Sequence, residues 1–217
     1  MHKNRRTYKD TVAYKYAKKV VDREIVCGKY VIKECERFLS DLERQFDDDF
    51  IWEFDLNTYD FIMGFQEMFT FADGILAGQK MKLAEFQEFI LSSLFCWKHK
   101  EEGYIRFSKA YIQVARKQGK SMLLGYMGLI KSLLDNYSQI YVCATKRDQA
   151  SIVINEIRKL LTCSIPQIKD RYKIYGKANI NKIVCTLTDS EMAPLSSDAN
   201  TLDGLGVDLA KLLWSTI

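Results

Sequence analysis

The chain has 217 residues, a formal net charge of +4, 47% hydrophobic residues and 12% aromatic residues. This composition supports a folded core, whereas a charge so close to balance does not by itself predict nucleic-acid binding. No apolar run of about 18 residues is present, which argues against a membrane span, and no apolar signal core is present, which argues against export. The six cysteines form no CxxC pair, which argues against a cysteine-based metal or disulfide framework.

The first 80 residues are predicted to be helical. Apolar side chains recur there at helical spacing in two stripes, as in helices that bury one face. The first stripe consists of Val31, Cys35, Phe38, Leu39, Leu42 and Phe46, and the second of Phe61, Ile62, Phe65, Met68 and Phe69. We therefore predict a helical N-terminal region over residues 1–80, with these stripes in its core.

Another amphipathic helix is predicted around residue 90. If Phe86, Ile90 and Leu94 face inward, Gln87 lies on the outer, polar face of this helix. The β-branched and aromatic segment that follows, from Ile105 to Val114, predicts a buried strand.

Gly119, Lys120 and Ser121 stand between this predicted strand and an apolar helical stretch over residues 121–134. A phosphate-binding loop requires a strand before it and a helix after it. At such a junction, backbone N–H groups hold phosphates, Lys120 neutralises the β and γ oxygens, and Ser121 ligates Mg²⁺. The triplet therefore predicts an ATP-binding site.

The match to the phosphate-loop pattern G-x-x-x-x-G-K-[ST] is incomplete, because Val114 occupies the first glycine position. Arg116 and Lys117 add two cations that suit a polyphosphate. Two alternatives stay open from the residues alone: a Gly-Lys-Ser triplet that occurs by chance, and an exposed basic turn.

Strands and helices alternate in the second half of the chain. A strand over Gln139–Ala144, a further helix and short strands such as Lys182–Leu187 follow the triplet. This alternation predicts an α/β fold in which helices flank a mainly parallel sheet. We assign residues 81–217 to this predicted ATPase domain.

Several segments, in order, resemble the large terminase subunit of tailed bacteriophages. They are Gly28-Lys-Tyr-Val, Cys35-Glu-Arg-Phe-Leu-Ser-Asp-Leu-Glu-Arg, Leu76-Ala-Gly-Gln, Leu83-Ala-Glu-Phe-Gln-Glu-Phe-Ile, Leu94-Phe-Cys-Trp-Lys, Ala110-Tyr-Ile-Gln-Val-Ala-Arg-Lys-Gln-Gly-Lys-Ser, Ala144-Thr-Lys-Arg-Asp-Gln-Ala and Pro194-Leu-Ser-Ser-Asp-Ala-Asn-Thr-Leu-Asp-Gly-Leu. The resemblance covers roughly residues 12–210, and the ordered set is more specific than any one motif.

The resemblance implies a P-loop ATPase that uses ATP and Mg²⁺ to drive double-stranded DNA into procapsids in the bacterial host cytoplasm. Its partners would be DNA, the portal protein, the small terminase subunit and further copies of itself. It also implies that Gln87 lies near the adenine and that Arg116 stabilises charge on the γ-phosphate. The implied nucleotide-binding set comprises Gln87, Lys117, Gln118, Gly119, Lys120 and Ser121, with Ser121 as the metal ligand.

The resemblance also draws attention to Thr145–Gln149, which follow the strand Gln139–Ala144 directly. Ligands of open α/β sheets gather at the carboxyl ends of strands. Two interpretations of this segment are equally open: a sensor of nucleotide or DNA, and a plain helix N-terminus.

The last residues depart from the family pattern. Large terminases carry an apolar strand that ends in Asp-Glu, whereas Lys211 to Trp214 occupy the corresponding stretch here. Asp208 precedes the apolar run, and we interpret it as a loop residue. We therefore expect an incomplete ATPase domain that binds nucleotide weakly and hydrolyses it poorly. The alternatives are a non-catalytic remnant or interaction protein and a helicase-like nucleic-acid ATPase.

Overall fold

A computed structural model of the protein describes residues 7–144, 147–176, 180–196 and 209–213. The chain divides into two compact units. The first unit contains Met1–Gln66 and Lys82–Ile112, and the second contains Glu67–Met81 and Gln113–Ile217. The predicted division into residues 1–80 and 81–217 concerns family domains and stays a prediction.

The first unit is mainly helical, as predicted. Its helices are α1 (Val12–Val21), α2 (Lys29–Arg44), α3 (Leu56–Phe65) and α4 (Glu85–Phe95), with a 3-10 turn over Tyr8–Asp10. Two short strands, β1 (Trp52–Phe54) and β2 (Trp97–His99), pair antiparallel. No helix among the described residues is long and apolar enough to cross a membrane.

Aromatic rings form the core of the first unit around Trp97. Trp97 is fully buried, and its ring centroid lies 5.9 Å from that of Phe38 and 5.5 Å from that of Phe54, with the planes steeply inclined. Such edge-to-face pairs place the positive edge of one ring on the negative face of another. Cys35, Phe38 and Leu42 of the first predicted stripe are buried as expected, whereas Val31 and Phe46 at its ends are exposed, so that part of the prediction is wrong.

A buried carboxylate joins two arginines in the first unit. The Asp41 side chain on α2 is 4% exposed, and it accepts hydrogen bonds from Arg37 and, at 2.7 Å, from Arg106. The Phe107 ring lies 4.7 Å from the Arg37 guanidinium and 4.9 Å from that of Arg106. These contacts attach the segment after β2 to α2.

The predicted buried strand over residues 105–114 is wrong. Within this segment only Ile105 makes a β-bridge, to Lys98, and Tyr111 is 87% exposed. Arg106 N–H still donates to the Trp97 carbonyl of β2 at 2.9 Å, but the side chains of Arg106 and Phe107 then contact α2. A strand needs a hydrogen-bonded neighbour, and no described strand pairs with residues 107–114.

The second unit contains a five-stranded mixed sheet in the order β4-β5-β6-β3-β7. Its strands are β3 (Gln139–Ala144), β4 (Tyr172–Tyr175), β5 (Lys182–Cys185), β6 (Ser190–Ser196) and β7 (Leu209–Leu213). β3 pairs parallel with β6 and β7, while β5 pairs antiparallel with β4 and β6. With β1 and β2 included, antiparallel pairings outnumber parallel ones among the described strands, so the prediction of a mainly parallel sheet is wrong.

The helices of the second unit are α5 (Lys120–Leu134), α6 (Arg147–Thr162) and the short α7 (Pro166–Lys169). Both α5 and the strand Gln139–Ala144 agree with the sequence prediction. The helices α5 and α6 approach closely at Gly125, where an added Cβ would lie 3.3 Å from Ile157 Cγ1 and 3.5 Å from the Ile157 backbone nitrogen. A residue without a side chain therefore sets the spacing of these two helices.

A hairpin over residues 69–81, called here the hairpin 69–81, also belongs to the second unit. Its arms are joined by hydrogen bonds of 2.9 Å from Met81 N–H to the Phe69 carbonyl and from Phe71 N–H to the Gln79 carbonyl. Thr70 N–H donates to the Cys163 carbonyl at 3.2 Å, just after the end of α6. The base of the hairpin is thus fastened beside the end of α6.

Candidate functional site

The Gly-Lys-Ser triplet lies where a loop enters α5. Lys117 and Gly119 both adopt left-handed backbone conformations, with φ of 64° and 70°, and Lys120 is the first helical residue. A left-handed residue next to a helical one turns successive N–H groups toward one point, an arrangement that binds anions. Glycine suits position 119 because only glycine adopts this conformation without steric cost.

The start of α5 carries no cap of its own. Gly119, which precedes the helix, has no side chain to accept a hydrogen bond, and no acidic residue occupies the first turn. Leu123 N–H makes the first helical bond, to the Gly119 carbonyl at 2.9 Å. The first N–H groups of a helix need an outside partner. The uncapped start of this 15-residue helix therefore presents hydrogen-bond donors and the positive end of the helix dipole to an anion.

Cations gather at this helix start without carboxylate partners. Arg116 and Lys117 are exposed, Lys120 is half-buried, and none of the three forms an ion pair within the part of the chain that the structure describes. By contrast, Lys131 in the last turn of the same helix pairs with Asp135. The loop thus carries unneutralised positive charge beside uncapped N–H groups.

A cavity of about 130 Å³ borders this loop, on the side of Gly119. It is lined by Phe71, Ala72, Asp73, Gly119, Met122, Glu156, Lys159 and Leu160. Within it, the Lys159 ammonium donates to Asp73 at 2.6 Å and to Glu156 at 2.7 Å. The hydrogen bonds to Asp73 and then to Glu156 raise the pKa of Lys159 above its ordinary value, so the group stays charged.

Residues 85–212, more than half of the chain, match the family model described as terminase large subunit, ATPase domain. The chain belongs to this family. The resemblance seen in the sequence is therefore confirmed, and the family implies a P-loop fold for the second unit. No match to the chain was found among curated proteins.

The crystal structure of the HK97 bacteriophage large terminase is similar to this protein. It superposes with a TM-score of 0.56 at 27% sequence identity, over 71% of this chain and 30% of that one. The chain thus spans less than a third of the length of the solved terminase.

In this terminase ATPase domain, Gln87 belongs to the first unit and residues 117–121 to the second. Gln87 is 5% exposed, and its side-chain oxygen accepts from Ala84 N–H at 3.0 Å, which caps the start of α4. The alternative that placed Gln87 on an outer face is therefore wrong. The expected contact between Gln87 and adenine stays a prediction.

The helical phase expected for α4 is also wrong. Phe86, Ile90 and Leu94 are half-buried, whereas Phe89 and Leu91 are buried. Buried Glu88 and Ser92 explain the error, since they place polar residues on the face that apolar spacing alone would leave to solvent. Burial raises the pKa of the Glu88 carboxyl.

Ser121 is half-buried in the first turn of α5. No group of three or more His, Cys, Asp or Glu side chains placed to hold a metal occurs among the described residues. Mg²⁺ in nucleotide-binding proteins usually keeps several waters and takes phosphate oxygens of the nucleotide as further ligands.

The acidic and strand-end candidates lie largely outside the described residues. Asp208 falls there, as do Thr145 and Lys146 after β3. The helix α6 begins at Arg147, immediately beyond them.

Lys159 and Asp73 were missed by the sequence analysis, because they are 86 positions apart and neither belongs to a recognisable motif.

Proposed function

We propose that this chain binds ATP with Mg²⁺ at residues 117–121, as the ATPase domain of a DNA-packaging motor. One observation carries the proposal: three cations that form no ion pair with any described residue lie beside the start of α5, which has no side-chain cap. A triphosphate carries the opposite charge and accepts hydrogen bonds, so it satisfies both features at once.

Each residue of the loop has a role in this proposal. Backbone N–H groups from Lys117 through Ser121, including that of Gln118 beside Gly119, hold the phosphates. Lys120 neutralises the β and γ oxygens, and the Ser121 hydroxyl ligates Mg²⁺.

Two further residues have proposed roles outside these direct contacts. Arg116 stabilises charge that develops on the γ-phosphate, and Gln87 recognises adenine. The role of Arg116 is catalytic, whereas that of Gln87 concerns binding alone.

The wider role is proposed from the family. The parent motor would couple ATP hydrolysis to translocation of double-stranded DNA into procapsids in the bacterial host cytoplasm. Its partners would be the portal protein, the small terminase subunit and further copies of the chain. The family match favours this motor over a helicase-like ATPase.

We further propose that hydrolysis by this chain is weak. Residues 209–217 contain no Asp or Glu, although this is the stretch where the family pattern places its Asp-Glu pair. Without a carboxylate to position the attacking water, the cations can bind ATP but do not complete the catalytic site. A non-catalytic nucleotide-binding protein is the corresponding alternative, and phosphate release with and without double-stranded DNA distinguishes the two.

The test of nucleotide binding is calorimetric titration of MgATP and of tripolyphosphate into three proteins: the wild type, Lys120→Ala and Lys131→Ala. Lys131 lies in the same helix and pairs with Asp135, so it controls for loss of a lysine from α5. We expect Lys120→Ala to weaken the binding of both ligands at least about tenfold, since it removes a charge-assisted contact. Lys131→Ala should leave both affinities unchanged. Equal affinities in all three proteins would refute the proposed site.

A further inference from the structure

The cavity beside Gly119 has two chemically different parts. Phe71, Met122 and Leu160 supply apolar surface, while Asp73 and Glu156 supply carboxylates that flank Lys159. One wall comes from α5 and α6. The other comes from the hairpin 69–81, which lies before the matched residues 85–212.

Both carboxylates keep an acceptor available. Asp73 engages Lys159 through Oδ2 and Glu156 through Oε1, and the second oxygen of each has no hydrogen-bond partner among the described residues. The Asp73 side chain is also 68% exposed, so a ligand can reach it. A carboxylate oxygen accepts hydrogen bonds and suits hydroxyl donors.

The charges of the loop and the cavity are opposite. The loop carries Arg116, Lys117 and Lys120, whereas two carboxylates and one ammonium give the cavity a net negative charge. A ligand with an anionic end and a neutral, hydroxyl-bearing end would therefore bind in one direction only. Its anionic end would lie on the loop and its hydroxyls in the cavity.

We propose that this cavity receives the sugar of a ribonucleotide, with Asp73 and Glu156 accepting from the 2′ and 3′ hydroxyls. The assignment rests on the proposed nucleotide binding at residues 117–121, and it adds the hairpin 69–81 to the site. The hydroxyls are donors and the carboxylates are acceptors, so a sugar that lacks the hydroxyls loses two charge-assisted hydrogen bonds. The cavity thus selects ribonucleotides over deoxyribonucleotides.

The expected selectivity follows from the strength of hydrogen bonds to charged groups. Solvent competes for the exposed Asp73, so we expect the two bonds together to contribute about tenfold to affinity. MgATP should therefore bind about tenfold more tightly than Mg-2′,3′-dideoxyATP. Tripolyphosphate, which has no sugar, reports on the loop alone.

The experiment titrates these three ligands into the wild type, the double variant Asp73→Ala with Glu156→Ala, and Lys159→Ala. The double variant should bind MgATP and the dideoxy nucleotide equally, with tripolyphosphate affinity retained. Lys159→Ala removes the ion pairs but keeps both carboxylates, so it should keep the tenfold preference. If Lys159→Ala loses the preference as the double variant does, the carboxylates only tether the hairpin, and direct recognition is overturned.

Two other outcomes separate this proposal from the one on which it rests. If the wild type shows no preference for MgATP while tripolyphosphate binding still depends on Lys120, the sugar site is overturned and the phosphate site stands. If neither ATP nor tripolyphosphate binds in a Lys120-dependent way, the proposed phosphate site fails and the sugar site fails with it.

Discussion

Polar side chains of the first unit cap two of its helices and pair a buried charge, whereas α5 in the second unit begins without a side-chain cap. The start of α2, at Gly28, also lacks a side-chain cap. In the first unit, Asp41 bridges two arginines, and Thr11 and Asp55 cap α1 and α3 with their own side chains. At α5, loop cations and first-turn N–H groups have no such partners among the described residues. The contrast indicates that Asp41, Thr11 and Asp55 stabilise the fold, while the cations Arg116, Lys117 and Lys120 are available for a ligand.

The largest expected effect comes from Asp41. Asp41→Asn removes a buried charge between Arg37 and Arg106, and breaking a buried ion pair costs about 3–5 kcal/mol. Urea unfolding should show this loss in the free energy of unfolding. Asp22→Asn is the matched control, because its pair with Lys18 is about half exposed and should change that free energy by less than about 1 kcal/mol. A similar small change in both variants would contradict the comparison.

The next effect concerns the contact that positions α6 beside the loop. In Gly125→Ala, the new methyl group lies 3.3 Å from Ile157 Cγ1, a contact tighter than usual, and we expect the resulting overpacking to cost about 1 kcal/mol or more. Gly64→Ala in α3 is the control, because nothing lies within 4 Å of its added Cβ, and it should stabilise the protein slightly. The midpoint temperature of thermal unfolding should therefore fall for Gly125→Ala and rise for Gly64→Ala. A rise in both would show that α6 can shift to accommodate the added methyl group without loss of stability.

Asp55 tests a charge that caps a helix. Burial tends to raise the pKa of Asp55, but hydrogen bonds from Lys98 and Thr58, with the charge of Lys98, lower it below the ordinary value. A lowered folded-state pKa stabilises the protein above the unfolded pKa of about 3.9, and this contribution is lost as the pH falls through the folded pKa. Asp55→Asn keeps a capping oxygen and removes the charge.

We expect Asp55→Asn to lower the free energy of unfolding by about 1.5 kcal/mol at neutral pH, as for hydrogen bonds to charged groups. The two proteins should converge in acid, once wild-type Asp55 is protonated. Urea titrations at a series of pH values measure this difference. A gap that persists in acid would assign the effect to packing instead of charge.

The smallest effect compares two hydroxyl groups at helix starts. Thr11 accepts from Tyr14 N–H at 3.2 Å and caps α1, so Thr11→Ala should cost about 1 kcal/mol. Ser121→Ala should leave the free energy of unfolding within about 0.5 kcal/mol, since the Ser121 side chain has no hydrogen bond to any described residue. In calorimetry, Ser121→Ala should weaken the binding of MgATP and Thr11→Ala should not. If Ser121→Ala instead lowers the free energy of unfolding and leaves MgATP binding unchanged, Ser121 stabilises the fold and does not bind the ligand.

Elements whose pattern lies within one segment were predicted well from the sequence. The helix after the triplet and the strand Gln139–Ala144 are both present, because their periodicity alone indicates where each must be buried. The strand expected over residues 105–114 failed for the opposite reason, since pairing depends on a neighbour that the local sequence does not specify. The contacts of Arg106 with Asp41 have no local signature either.

The sheet direction was predictable in part. Only four residues separate β5 from β6, and parallel strands need a crossover of a dozen or more residues, so this connection requires an antiparallel pair. The loop that enters α5 was located by its motif. The cavity beside it was not, because Asp73 and Lys159 meet only after distant parts of the chain fold together.

The hairpin 69–81 is synthesised well before the residues with which it pairs. A β-bridge joins Phe69 to Ser164, which is synthesised about 95 residues later. At about 5–20 residues per second, this delay is roughly 5–19 s. Ile75, near the tip, is 99% exposed even in the folded protein. For several seconds of translation, one wall of the cavity therefore exists as a nascent segment open to chaperones, before the helix that anchors it has been made.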